Sequence, residues 1–140
     1  GEEEAVHEAM EKAEEAGAKK IVELNVSSAF HSQLMEPAKN KLKEYIEKVE
    51  FNDPEIPVIA NSTANFVRNK EEIVSALEKQ LTNAVRWVES MELMAENDVN
   101  LAFEVGPGRV LKSLMRRIDR SIKTYNIQDV ASLEKAMKKI

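Results

Sequence analysis

Histidine is the side chain whose ordinary pKa lies nearest neutral pH, and this sequence has two, His7 and His31. His31 stands in LNVSSAFHSQLMEP, residues 24–37, where a strand-like pattern gives way to a helical one. The end of a parallel strand aims a side chain into a cleft, so an imidazole there can act as a general base. It needs a proton to take. Ser28 and Ser32 flank it, but sequence neighbours seldom place an Oγ against an imidazole nitrogen, and a structural histidine remains an open reading on the pattern alone. His7 opens the stretch HEAME, in which Glu11 occupies the second ligand position of a zinc-binding H-E-x-x-H helix. It reads as a solvated helix residue, and no metal site is expected. With no cysteine there is no thiolate nucleophile and no disulfide framework. The four glycines form neither G-x-G-x-x-G nor G-x-x-x-x-G-K-[ST], and no serine sits in the G-x-S-x-G elbow that exposes a nucleophile.

The elements that must position these residues are legible from periodicity. Ala5, Val6, Ala9, Ala13 and Ala16 recur at helical spacing, and Gly17 stands where a C-terminal cap does. IVELNV, residues 21–26, places Val22, Leu24 and Val26 on one side of a strand ending near Ser27. Leu34, Ala38, Leu42, Tyr45, Ile46 and Val49 predict a helix of about four turns. Pro54 and Pro57 precede a buried strand over Val58 to Ala60. Asn69 is placed to cap a helix with Ile73, Val74, Leu77 and Leu81, and another helix carries Val85, Val88, Met91 and Ala95. In LAFEVGPGRVLKSLMRRI, Leu101, Phe103 and Val105 alternate as a strand, Gly106-Pro107-Gly108 turn tightly, and Val110, Leu111, Leu114, Met115 and Ile118 form a helical stripe. A strand in SIKTYNI and a helix from Asp129 close the chain. Strands alternating with helices predict an α/β fold with a largely parallel sheet flanked by helices.

Composition bounds the function. A chain of 140 residues, 43% hydrophobic and 32% charged, suits a globular domain able to bury a core. The net charge of -5 argues against nucleic-acid binding, and no apolar run approaches the roughly 20 residues of a membrane span. The lack of cysteine favours a cytoplasmic setting. Arg109, Lys112, Arg116, Arg117, Arg120 and Lys123 face one acid, Asp119; this is a solvated face or a dock for an acidic partner. Trp87 reads as a core or groove anchor, and Gly106-Pro107-Gly108 as a tight turn more than an anion cradle.

VSSAFHSQLMEPA resembles the histidine motif of malonyl-CoA:acyl-carrier-protein transacylases and of polyketide synthase acyltransferase domains. VEFNDPEIPVIANSTA, LEKQLTNAVRWVESMELMAENDV and FEVGPGRVLKSLMRRI are similar to the successive blocks of that family, in order and at similar spacing, over almost the whole chain. The resemblance implies a ping-pong transfer in which an elbow serine attacks malonyl-CoA and the phosphopantetheine thiol of acyl carrier protein resolves the acyl-enzyme. It makes His31 the base and gives Gln80 the role of orienting it through a main-chain carbonyl in place of a triad carboxylate. Ala29 and Phe30 are similar to the A-F-H form of malonyl-selective members, where a ring takes the space of an α-methyl group.

The resemblance further implies a partial acyltransferase core, α/β-hydrolase-like, over 27–140 and the last helix and strand of a ferredoxin-like subdomain over 1–26. The elbow serine, its oxyanion-hole donor and the malonyl-binding arginine are expected on a serine-bearing N-terminal portion that these residues do not include. Alone the chain is then expected to be inactive and marginally folded, with malonyl-CoA and acyl carrier protein as substrate and partner and no cofactor, nucleic acid or membrane. Ala84 departs from a family proline in N-P-V-R-W. The competing reading is a non-catalytic α/β binding module that docks an acidic protein.

Overall fold

A computed structural model describes residues 1–140. Its centre is a β-α-β unit. Strand β3 (Leu101–Val105) pairs in parallel with β4 (Lys123–Ile127), from Leu101 opposite Lys123 to Val105 opposite Ile127, and helix α5 (Val110–Ile118) makes the crossover that a parallel pair requires. Helix α4 (Trp87–Glu96) packs beside α5, and Met91, Met115 and Ile122 form the buried cluster, flanked by Trp87, Met94, Ala95, Ala102 and Ile118.

The turn between β3 and α5 is held from two sides. Glu104 lies buried in β3 because its carboxylate accepts from the main-chain N–H of Leu111 (2.9 Å) and Lys112 (3.0 Å), two of the donors that a helix start leaves without partners. Gly106 and Gly108 take φ of +136° and +93°, in the left-handed region that penalises a Cβ. The Asn126 amide reaches from β4 to the carbonyls of Gly106 (3.2 Å) and Gly108 (2.6 Å), closing the Gly-Pro-Gly turn against the sheet.

Helix α6 (Val130–Met137) packs on β4 and begins with a capping box, in which the Asp129 carboxylate accepts from the Ser132 N–H at 2.7 Å. The Ser132 side chain and then its backbone N–H hold the Asp129 carboxyl below its ordinary value of 3.8. A depressed carboxyl stabilises the fold above its unfolded pKa and loses that contribution as pH falls through the folded one. The α6 start is therefore expected to fray below about pH 4 and not above it. Hydrogen exchange at the Ser132 N–H checks this, and protection that is constant from pH 6 to 2.5 contradicts it.

The other elements form a second group. Helix α1 (Glu3–Glu15) ends before Gly17, whose φ of +85° makes the left-handed stop expected there. A 3-10 turn (Gln33–Met35) leads into α2 (Glu36–Ile46), which packs on α3 (Lys70–Gln80). The Asn69 side chain caps α3 by accepting from the Glu72 N–H at 2.9 Å. Strands β1 (Val58–Ala60) and β2 (Asn65–Val67) form an antiparallel hairpin against α3.

The α/β class matches the sequence reading, and the helices lie close to their expected places. Three element readings need correction. The β1 strand joins a hairpin and not the parallel sheet, because β2 follows after a four-residue turn too short for a crossover. The helix after His31 stops at Ile46, leaving Val49 in a turn. Residues 21–26 form no strand: Val22, Leu24 and Val26 alternate but remain more than half exposed, since no neighbouring strand of this chain completes a ladder with them. No helix is long and apolar enough to cross a membrane.

Candidate active site

His31 is fixed by the end of α3. The last carbonyls of a helix lack intrahelical donors and carry its partial negative charge. Two of them are met by one residue: the His31 N–H donates to the Leu81 carbonyl (3.0 Å), and His31 Nδ1 lies 2.9 Å from the Gln80 carbonyl oxygen. A carbonyl can only accept, so Nδ1 carries a proton, and in the neutral ring Nε2 then has the free lone pair. The Gln80 side-chain nitrogen also lies 3.3 Å from Nδ1, but a protonated nitrogen cannot accept from it. The shorter carbonyl contact is the hydrogen bond, and it sets the tautomer.

The main chain is bent to reach this geometry. His31 has φ of +61°, uncommon outside glycine, and the Ser32 hydroxyl donates to the Ala29 carbonyl at 2.7 Å across the turn. The imidazole sits at the surface with Nε2 hydrogen-bonded to no group of this chain. Neither Ser28 nor Ser32 meets the ring, so the site holds an imidazole fixed at the end of α3 and no nucleophile against it. Phe30 is 50% exposed in this chain, and Ala29 is half-buried beside it. The structure thus brings His31, Gln80, Ala29 and Phe30 to one place.

Residues outside the sequence reading hold the surroundings. The Arg86 guanidinium donates to the Thr63 carbonyl (2.9 Å) and to Glu89 (3.1 Å), and its N–H donates to the Asn61 carbonyl (2.8 Å). Arg86 thus ties the hairpin turn to the start of α4. The carboxyl of Glu89 is held below its ordinary value first by a backbone N–H and then by Arg86. Spacing does not mark the Thr63 and Asn61 partners, because every residue has a carbonyl, whereas Glu89 stands at the i+3 spacing of a helical ion pair. The roles of Glu104 and Asn126 were equally silent, although an acid inside an apolar strand next to Gly-Pro-Gly was a usable signal.

His7 lies exposed on α1, 3.9 Å from Glu23. Arg109, Lys112, Arg116, Arg117, Arg120 and Lys123 make no ion pair within the chain, and Asp119 is engaged by the Ser121 N–H at 2.7 Å. No group of His, Asp or Glu side chains has the spacing of a metal site.

A scan against the profiles of known protein families finds no match. Individual proteins do match. The chain is 39% identical over 129 residues to the malonyl CoA-acyl carrier protein transacylase of Bacillus subtilis, covering 92% of this chain and 41% of that protein. It is 40% identical over 128 residues to that of Haemophilus influenzae, covering 91% of this chain and 41% of the relative. Among solved structures, the acyl-carrier-protein S-malonyltransferase of Burkholderia pseudomallei superposes with a TM-score of 0.92 at 39% identity, over 97% of this chain and 44% of that one. A malonyl-transacylase solved in complex with its type II PKS acyl-carrier protein gives 0.95 at 40% identity, over 100% of this chain and 45% of that one. The chain spans about two fifths of the curated relatives it matches. In sequence and in fold, these 140 residues are similar to malonyl-CoA:acyl-carrier-protein transacylases over 92% of their length and correspond to the C-terminal portion of those proteins.

Proposed function

We propose that this chain supplies the base of a malonyl-CoA:acyl-carrier-protein S-malonyltransferase, the nucleophilic serine being carried on the remaining portion of the enzyme. The observation that carries this reading is the Nδ1 contact to the Gln80 carbonyl at 2.9 Å, which in the neutral ring puts the lone pair on Nε2, the nitrogen that bonds no group of this chain. In the first half-reaction Nε2 takes the serine proton as Oγ attacks the malonyl thioester, then gives it to the departing coenzyme A sulfur. In the second, Nε2 takes the proton of the phosphopantetheine thiol as its sulfur attacks the acyl ester, then returns it to serine. The Gln80 carbonyl accepts from Nδ1 throughout, as a carboxylate does in a conventional triad. No cofactor is called for beyond malonyl-CoA as substrate.

Within this reading residues 1–26 complete a ferredoxin-like subdomain and residues 27–140 belong to the acyltransferase core. Phe30 and Ala29 border the acyl group, with the Phe30 ring disfavouring an α-methyl substituent. The unpaired cations from Arg109 to Lys123 offer acidic acyl carrier protein a complementary face. That face also favours the second reading, a non-catalytic module binding an acidic protein.

The test is reconstitution. Mixed with the serine-bearing portion, malonyl-CoA and acyl carrier protein, the chain is expected to restore malonyl transfer, and neither portion alone is expected to show any. Carrier binding without transfer in the reassembled pair overturns the catalytic reading in favour of the second.

A further inference from the structure

The place of His31 is inherited from the end of α3. Within residues 27–32, the only hydrogen bonds that reach a distant part of the chain are those of His31 to the Gln80 and Leu81 carbonyls. Whatever displaces those two carbonyls displaces the imidazole with them. The aim of the ring therefore depends on what holds the exit of α3.

On its near side the helix is tied to the turn between β1 and β2, where buried Ser62 donates to the Ala76 carbonyl (3.4 Å), about one helical turn ahead of Gln80. Beyond Leu81, the Thr82 and Asn83 N–H groups turn back to the Lys79 carbonyl, and the exposed Ala84 and Val85 make no main-chain hydrogen bond. The chain is next fastened at Arg86. Its N–H donates to the Asn61 carbonyl (2.8 Å), and its guanidinium to the Thr63 carbonyl of the same turn (2.9 Å) and to Glu89 of α4 (3.1 Å). The turn keeps a costly conformation in doing so: Ala64, buried, has φ of +52°, which persists only where the surroundings impose it. The β1–β2 turn, the end of α3 and Arg86 thus close a ring of contacts, in which Arg86 is the member that grips both the turn and α4.

We propose that Arg86 is a positioning residue for the transfer reaction: by locking the exit of α3 to the β1–β2 turn it holds the Gln80 carbonyl against Nδ1, and so fixes the tautomer and aim of His31 without touching substrate. This rests on the reading that the chain and the serine-bearing portion assemble into one transferase. In the reassembled, transfer-competent pair, Arg86→Gln is expected to lower kcat about 10- to 30-fold and to change KM for malonyl-CoA less than about twofold, since a small misplacement of a reacting group is costly. Arg86→Lys keeps the charge, but one ammonium cannot serve two separated acceptors as the guanidinium does, and a loss of about three- to tenfold is expected. The second readout is the ring itself. In a His7→Gln background His31 is the one imidazole of the chain, so labelling this chain with 15N-histidine reports its tautomer directly. At a pH where the ring is neutral, the wild-type pair is expected to show the Nδ1–H tautomer alone and the Arg86→Gln pair a mixture of both. Lower stability by itself leaves the tautomer of the folded molecules unchanged. Wild-type kcat in the assembled glutamine variant, or in the lysine variant should glutamine prevent assembly, overturns the role of Arg86 and leaves the transferase reading intact. So does a fall in kcat with the tautomer unchanged, which would put Arg86 on substrate or carrier and not behind His31. A wild-type pair that assembles without transferring malonyl overturns the transferase reading instead.

Discussion

His31→Ala in the reassembled enzyme is expected to lower kcat/KM for malonyl transfer about 10²- to 10⁴-fold, the usual contribution of a positioned general base. The loss falls on kcat, because Nε2 acts on protons in flight and not on bound malonyl-CoA. Alanine also disturbs the backbone, since position 31 has φ of +61°. His31→Asn is the control: asparagine tolerates the left-handed region well, so the chain folds as before while the base is gone. An asparagine variant with wild-type kcat would remove His31 from the mechanism. Gln80→Ala is expected to change the rate less than about threefold, because the acceptor is a main-chain carbonyl that any residue at the end of α3 supplies. A Gln80→Ala loss as large as that of His31→Asn would show that the side-chain amide at 3.3 Å, and not the carbonyl, orients the ring.

Glu104→Gln is expected to destabilise the chain by about 2 to 3 kcal/mol, the cost of losing charged acceptors for two helix-start donors. The amide keeps one acceptor and turns its own N–H₂ toward a donor of α5. For a chain of this length that lowers the melting temperature by roughly 6 to 12 °C. The effect is large because little else holds the fold: 11 of 140 residues are buried, and the main cluster comprises Met91, Met115 and Ile122. Folded domains have only about 5 to 15 kcal/mol in hand, and one with so small a core sits at the low end. Scanning calorimetry of the wild type and the variant checks this, and equal melting temperatures would mean that water caps α5 equally well.

What the sequence disclosed follows the range of the forces involved. Local chemistry was readable: the Asn69 and Asp129 caps and the Gly17 stop all depend on residues within a few positions. Partners distant in the chain were not. The His31–Gln80 contact spans 49 positions and came only through the family resemblance, since a carbonyl acceptor has no signature in sequence. Residues 21–26 show the opposite failure. Their alternation describes a strand correctly as a surface pattern, but a ladder needs a neighbour, and this chain provides none.

The β3–α5 connection has a kinetic consequence. Glu104 meets the Leu111 and Lys112 N–H groups across seven and eight positions, so closing that loop costs little chain entropy. The β4 side of the turn lies farther away, as Asn126 joins Gly108 across 18 positions. The β3 strand and the first turn of α5 are therefore expected to close first, with the zippering of β4 against an already capped α5 as the slower step.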